Sequence, residues 1–144
     1  VIMHRLKEDG RAGVILPDGF LFGVLSSSMF ICWQRTVGGR IKSDLRFSKD
    51  IVWNNFPLPD VSRKMQTEIQ SASQEIIYAR EIHSDWSLAD HYNSLAMTPA
   101  LLRAHDTLDR LVDKAFGATK AIKSNEERRD LLFKRYAEMV ATLM

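Results

Sequence analysis

Pro57 and Pro59 divide this chain more firmly than any other feature of it. Neither residue has a backbone N–H to donate. Asn54-Asn55-Phe56-Pro57-Leu58-Pro59 can therefore continue neither a helix nor a central strand. The stretch reads as the linker between two unlike halves. Residues 1–59 alternate apolar and extended segments, whereas residues 60–144 carry helical periodicity almost throughout. The expected fold is mainly α. It has a C-terminal antiparallel helical bundle and a small N-terminal α/β segment of one apolar helix plus short strands.

The helical half announces its own boundaries. Asp60 or Ser62 can cap a helix running to about His83, with an apolar stripe of Val61, Met65, Ile69, Ala72, Ile76 and Ala79 at spacings of three and four. Ser87-Leu88-Ala89-Asp90 has the letters of a capping box. Thr98-Pro99 supplies a cap and an N1 proline. The helix that follows is expected to bury Leu101, Leu102, Leu108, Leu111, Val112 and Phe116, with His105 as a packing residue, and to stop at Gly117. Ser124 and Glu127 form a second capping box, before a helix whose apolar face includes Leu131, Leu132, Phe133 and Tyr136.

Before the linker the pattern is mixed. Val1–Glu8 reads as a helix end stopped by Asp9-Gly10, and Ala12–Leu16 as a short buried strand closed by Pro17-Asp18-Gly19. Phe20–Val37 reads as one apolar helix. Its three serines, Ser26 to Ser28, permit close approach of another backbone, and Gly38-Gly39 supplies a left-handed C-terminal residue. From Arg40 to Phe47 polar and apolar residues alternate, the pattern of a half-exposed strand or an extended loop. On an uninterrupted strand Arg40, Lys42, Asp44 and Arg46 share one face. Ile51-Val52-Trp53 reads as a second short extended run.

Charge is concentrated in that region. The whole chain carries only +2, but between Gln34 and Lys49 five cations (Arg35, Arg40, Lys42, Arg46, Lys49) face one anion, Asp44. A basic stretch is the footprint of phosphate contact, although a solvated loop or an acidic partner gives the same composition. Apolar residues make up 45% and charged residues 26%, as in a soluble globular protein. No apolar run is long enough to span a membrane. A single cysteine, Cys32, excludes disulfides within the chain and favours a cytoplasmic setting.

Catalytic chemistry is not encoded in any convincing motif. His4, His83, His91 and His105 lack metal-ligand spacing. The acids of the helical half read as solvated helix exteriors. Asn54-Asn55-Phe56-Pro57 has the residue types of an amino-methyltransferase motif in the wrong order, and Gly38-Gly39 follows a helix rather than a strand.

Several stretches together resemble one family. Leu21-Phe22-Gly23-Val24-Leu25, Trp33, Gly38-Gly39-Arg40-Ile41-Lys42-Ser43-Asp44, and Asn54-Asn55-Phe56-Pro57 are similar to the MmeI-like (type IIL) restriction–modification enzymes. So are Leu88-Ala89-Asp90-His91-Tyr92, Met97-Thr98-Pro99-Ala100-Leu101-Leu102-Arg103-Ala104-His105 and Glu126-Glu127-Arg128. Residues 1–22, with Gly10-Arg11-Ala12-Gly13 and Leu16-Pro17-Asp18-Gly19, resemble a methyltransferase segment of type I modification subunits. The resemblance implies the target-recognition and scaffold part of an S-adenosylmethionine-dependent DNA adenine-N6 methyltransferase, with no cofactor held in this chain. Its partners would be double-stranded DNA and a methyltransferase domain or subunit lying elsewhere.

The resemblance also implies site residues. The positions of Lys42 and Asp44 resemble a base-reading pair. Lysine donates to guanine O6 and N7, and aspartate accepts from cytosine N4, so the two can read one G·C pair. Arg35, Arg40, Arg46 and Lys49 would then hold phosphates. The competing reading is that Asp44 only neutralises Lys42 or Arg46 at the surface. A different class of role, a structural or docking fragment without DNA binding, would leave the apolar helix Phe20–Val37 to pack on an absent partner.

Overall fold

The computed structural model describes residues 17–38, 40–41, 44–45 and 48–143, with the backbone alone at 40–41 and 44–45. The Val1–Glu8 helix and the Ala12–Leu16 strand expected from the sequence lie outside the described residues. The described chain is mainly helical. In order it forms α1 (Asp18–Ser26), α2 (Ser28–Val37), β1 (Arg40–Ile41), β2 (Asp44–Leu45), a π-helical turn (Lys49–Trp53), α3 (Arg63–Glu81), α4 (Leu88–His91), α5 (Pro99–Ala115) and α6 (Asn125–Leu143).

The apolar run expected to be one helix is two. It begins at Asp18, and Ser27 breaks it with extended backbone (φ −79°, ψ 153°). The Ser27 hydroxyl accepts from the Phe30 N–H at 3.2 Å and donates to the Val24 carbonyl at 2.6 Å. It thus caps α2 while occupying a carbonyl of α1, the local bonding by which serine competes with helix continuation. Asp109 of α5 fixes the kink from outside, taking the Ser28 N–H at 2.8 Å and its hydroxyl at 2.6 Å.

The long helices start where their caps predict. The side chains of Ser62, Ser87 and Thr98 accept from Met65, Asp90 and Leu101 N–H groups, and Ser87 and Asp90 complete a capping box. Ser124 and Glu127 exchange bonds ahead of α6. Gly117, at φ 103°, follows α5 in the left-handed region that only glycine enters freely. Gly38 is different: its backbone is extended (φ −81°, ψ 152°), so it leads the chain straight out of α2 rather than turning it.

The bundle draws on both halves of the chain. α3 packs against α5 on one side and α1 on the other, while α6 packs chiefly on α2. The expected bundle of three long helices is thus corrected: α1 takes the third place beside α3 and α5. α1 can come close because Gly23 has no side chain. A Cβ there would stand 2.8 Å from Ile69 Cγ2 and 3.3 Å from Leu108 Cδ1. α6 contributes one fully buried apolar residue, Leu132, and is weakly amphipathic beside α5. Leu102 and Phe133, expected to be buried, are about half exposed.

The core is one cluster. Phe20, Val24, Phe30 and Trp33 meet Ile69, Ile76, Leu101, Leu108, Phe116 and Leu132 in it, along with Val52 and Phe56 from the segment between the halves. The apolar face of Phe20–Val37 is therefore covered by this chain's own helices.

A buried charge inside the bundle is paired. Asp113, expected on a solvated exterior, is 4% exposed and receives two bonds from the Arg128 guanidinium at 3.0 and 2.9 Å. Burial pushes the Asp113 carboxyl up, and the two bonds from Arg128 oppose that shift.

Candidate nucleic-acid interface

The basic stretch emerges from the bundle as a small hairpin. The last turn of α2 carries Arg35, which is exposed. β1 and β2 pair antiparallel, Arg40 with Leu45 and Ile41 with Asp44. The chain has therefore reversed between Ile41 and Asp44. A single strand from Arg40 to Phe47 does not form, and the alternation that would set four charged residues on one face has no uninterrupted strand to act along. The paired segment lies between Gly38, whose N–H bonds to the Gln34 carbonyl, and Ser48, which caps the turn that follows.

The return leg is not the extended run expected at Ile51-Val52-Trp53. The N–H groups of Trp53 and Asn54 bond to the carbonyls of Ser48 and Lys49 at 3.2 and 2.8 Å, the five-residue spacing of a π turn. The Ser48 hydroxyl caps it by accepting from Ile51 N–H. The Asn55 amide donates to the carbonyls of Asp50 and Ile51 at 3.1 and 2.9 Å, so the turn is closed at both ends. Lys49 and Ile51 are exposed on it, and Val52 is fully buried under it.

Aromatic packing fixes both legs to the core. Phe56 is 1% exposed, with ring centroids 5.1 Å from Phe30, 6.2 Å from Trp33 and 5.5 Å from Phe116. Trp33 also faces Tyr136 of α6 at 5.8 Å. Its indole N–H donates to the Val52 carbonyl at 2.7 Å, a bond between the outgoing and returning legs.

Two of the six residues expected to meet DNA can be placed in full. Arg35 and Lys49 are exposed on opposite legs, and neither forms a salt bridge among the described residues. Arg40 and Asp44 sit in the paired backbone of the hairpin. Lys42 and Arg46 lie outside the described residues. Sequence reasoning missed Trp33, Val52 and Asn55 as the groups that hold this element. A tryptophan on an apolar helix offers a signal only once its N–H is required to find a partner.

The remaining chemistry is structural. Asn55 is spent on the π turn and Phe56 is buried, so the Asn54–Pro57 letters form no base-stacking platform. Cys32 is buried, its thiol is pushed up by desolvation, and it lies against the Asn125 carbonyl. Among the described residues no three metal-ligating side chains come together, and no helix is long and apolar enough to cross a membrane. An open groove of about 670 Å³ runs along α5 beside residues 118–122. Two of its acids, Asp109 and Asp113, already bind Ser28 and Arg128.

His105 belongs to a polar cluster on the other side of the bundle. The Tyr92 hydroxyl accepts from Arg80 Nε at 3.1 Å, with a second bond from a terminal guanidinium nitrogen. Its own proton is then directed to His105 Nε2 at 2.7 Å, which requires the neutral ring. Desolvation pushes the His105 pKa down, in agreement.

Comparison with known proteins accounts for the whole described chain. Residues 7–60 match the model of the MmeI target recognition domain, and residues 61–144 match that of the MmeI C-terminal domain. The first match takes in residues 7–22, the stretch with letters similar to a type I modification subunit. DNA methyltransferase A of Bacillus subtilis (strain 168) is 39% identical over 120 residues, covering 83% of this chain and 13% of that protein. The structure of the type IIL restriction–modification enzyme MmeI in complex with DNA superimposes with a TM-score of 0.81 at 37% identity, covering 87% of this chain and 17% of that one. The chain thus spans less than a fifth of the length of either relative. By both domain matches, it belongs to the MmeI family.

Proposed function

We propose that this chain is the sequence-reading and bracing part of a restriction–modification DNA methyltransferase. The observation that carries this is the basic hairpin within the segment that matches a target recognition domain, flanked by exposed Arg35 and Lys49. A short two-legged element of positive charge can enter a groove edge-on while its base stays locked in a core. Lys42 and Asp44 would read one G·C pair, and Arg35, Arg40, Arg46 and Lys49 would hold phosphates. Residues 1–59 would form the reading segment and residues 60–144 the helical brace. Double-stranded DNA is the partner, together with a methyltransferase domain or subunit, in a cytoplasmic setting.

In this reading the intact enzyme transfers a methyl group from S-adenosylmethionine to adenine N6. The described residues do not fit the donor. The glycine-containing exit from α2 is extended and leads into a strand, whereas a donor site needs a glycine-rich turn after a strand. No step of methyl transfer is therefore assigned to these residues. The test is the DNA sequence preference of the full chain and of its Lys42, Asp44 and Arg46 variants. Sequence-independent binding, or none, would support a purely structural role instead.

A further inference from the structure

The hairpin contains too little ladder to hold itself in place. β1 and β2 have two residues each, and an isolated two-stranded ribbon is marginal in water even when longer. Its direction must come from the bundle. Two features supply it. On the outgoing leg Trp33 is 2% exposed, and on the returning leg Val52 is fully buried. The indole N–H to carbonyl bond between them, 2.7 Å long and 19 residues apart in sequence, is a direct polar link between the legs. It is also directional, unlike the aromatic contacts around it, so it fixes the rotation of the π turn as well as its distance from α2.

We infer that Trp33 is a positioning residue for sequence recognition: by holding the Val52 carbonyl it sets where the hairpin presents its reading residues, without touching DNA itself. This inference rests on the proposed DNA reading. Elsewhere the described legs touch through the rings of Phe30 and Trp33 against Trp53 and Phe56, contacts that are less directional, so loss of the bond lets the return leg turn against the outgoing one. Phosphate contacts from long side chains such as Arg35 and Lys49 tolerate such a shift. A bidentate base contact does not, because its two hydrogen bonds require one placement of the side chain over one base. Specificity should therefore suffer more than overall affinity.

The test uses the full chain and a pool of randomised DNA duplexes, with the bound fraction sequenced. The variants are wild type, Lys42→Ala, Trp33→Phe and Tyr136→Leu, plus a protein with benzothienylalanine at position 33. The last keeps the bulk of the indole but cannot donate, so it retains the core packing if Trp33→Phe does not fold. Tyr136→Leu weakens the same cluster and leaves the bond in place.

The expected result is that wild type enriches a motif and Lys42→Ala loses one position of it. The two position-33 variants should lose preference across the motif by about fivefold or more, the lower end of the value of one good base contact. Their salt dependence should be unchanged, and Tyr136→Leu should keep the wild-type motif. A position-33 variant that enriches the wild-type motif at full strength would overturn the inference while leaving the reading of DNA intact. So would Tyr136→Leu flattening the motif as much as the position-33 changes, which would reduce the effect to general destabilisation. A wild type that enriches no motif would instead overturn the underlying reading, and this inference with it.

Discussion

Asp109 holds Ser28 with both carboxylate oxygens, across 81 residues of sequence, at the point where the apolar run breaks into α1 and α2. One oxygen satisfies a backbone donor at the start of α2, and the other takes the hydroxyl proton. Replacing the pair by alanine at 109 leaves the Ser28 N–H without its partner. Asp109→Ala is expected to lower unfolding free energy by about 2–3 kcal/mol, from two charge-assisted bonds lost in a partly buried site. Urea denaturation checks this. A loss below about 0.5 kcal/mol, the ordinary surface value, would show that the kink holds itself.

Gly23 permits the contact between α1 and α3. A methyl group there meets Ile69 Cγ2 at 2.8 Å and the Ile69 carbonyl at 3.3 Å, so side chain or helix must shift to admit it. Gly23→Ala is expected to cost about 1–3 kcal/mol by overpacking, despite the better helix propensity of alanine. The effect should be smaller in an Ile69→Ala background, and a double-mutant cycle measures that coupling. Additive effects of the two changes would mean the helices do not touch there.

Arg128 answers a buried charge. The side chains of Arg128 and Asp113 are 13% and 6% exposed, and removal of the cation strands the carboxylate. Arg128→Met is expected to destabilise by about 3 kcal/mol at neutral pH, the usual result of breaking a buried pair. Burial already pushes the Asp113 carboxyl up, and loss of Arg128 pushes it further. The penalty should therefore shrink as pH falls and Asp113 takes a proton. Denaturation of variant and wild type across mildly acidic pH follows the difference, and a penalty that grows toward acid would contradict the assignment.

His105 should make stability depend on pH in the opposite sense from a charged, paired histidine. Its folded pKa lies below the ordinary 6.5 because burial disfavours the imidazolium. The unfolded chain therefore takes up the proton first as pH falls. Its contribution is fully present above about 6.5 and is lost as pH drops through the folded value. His105→Gln should flatten that part of the profile. The measurement is the urea midpoint against pH for both proteins, with the His105 ring followed by NMR. A ring that titrates at or above the ordinary value would contradict the bonding derived for Tyr92.

How much of this was legible depended on the range of the interaction. The caps at Ser62, Ser87, Thr98 and Ser124 are local: a hydroxyl meets an N–H three residues on, and letters alone reveal it. Ile69, Ile76, Leu101 and Leu108 follow from helical spacing. The break at Ser27 was not legible, because its serines sit in an apolar run that helices tolerate and its external partner, Asp109, is far away in sequence. Leu102 and Phe133 were misplaced because each neighbours a residue that does face the core. In the candidate site the residue types and local charge were readable. The reversal at Ile41 and Asp44, the π turn, and the Trp33–Val52 bond were not, since alternating residue types do not mark where a chain turns back.

In the proposed function the hairpin reads DNA sequence. Lysine at a base edge supplies discrimination, whereas arginine at phosphate supplies general affinity. Selection from a randomised duplex pool, repeated with Lys42→Ala and Arg46→Ala, tests this most directly. Lys42→Ala should remove about 1–3 kcal/mol of preference for guanine at one position, while Arg46→Ala should weaken all sequences alike. A wild-type protein that binds every duplex equally would contradict the account.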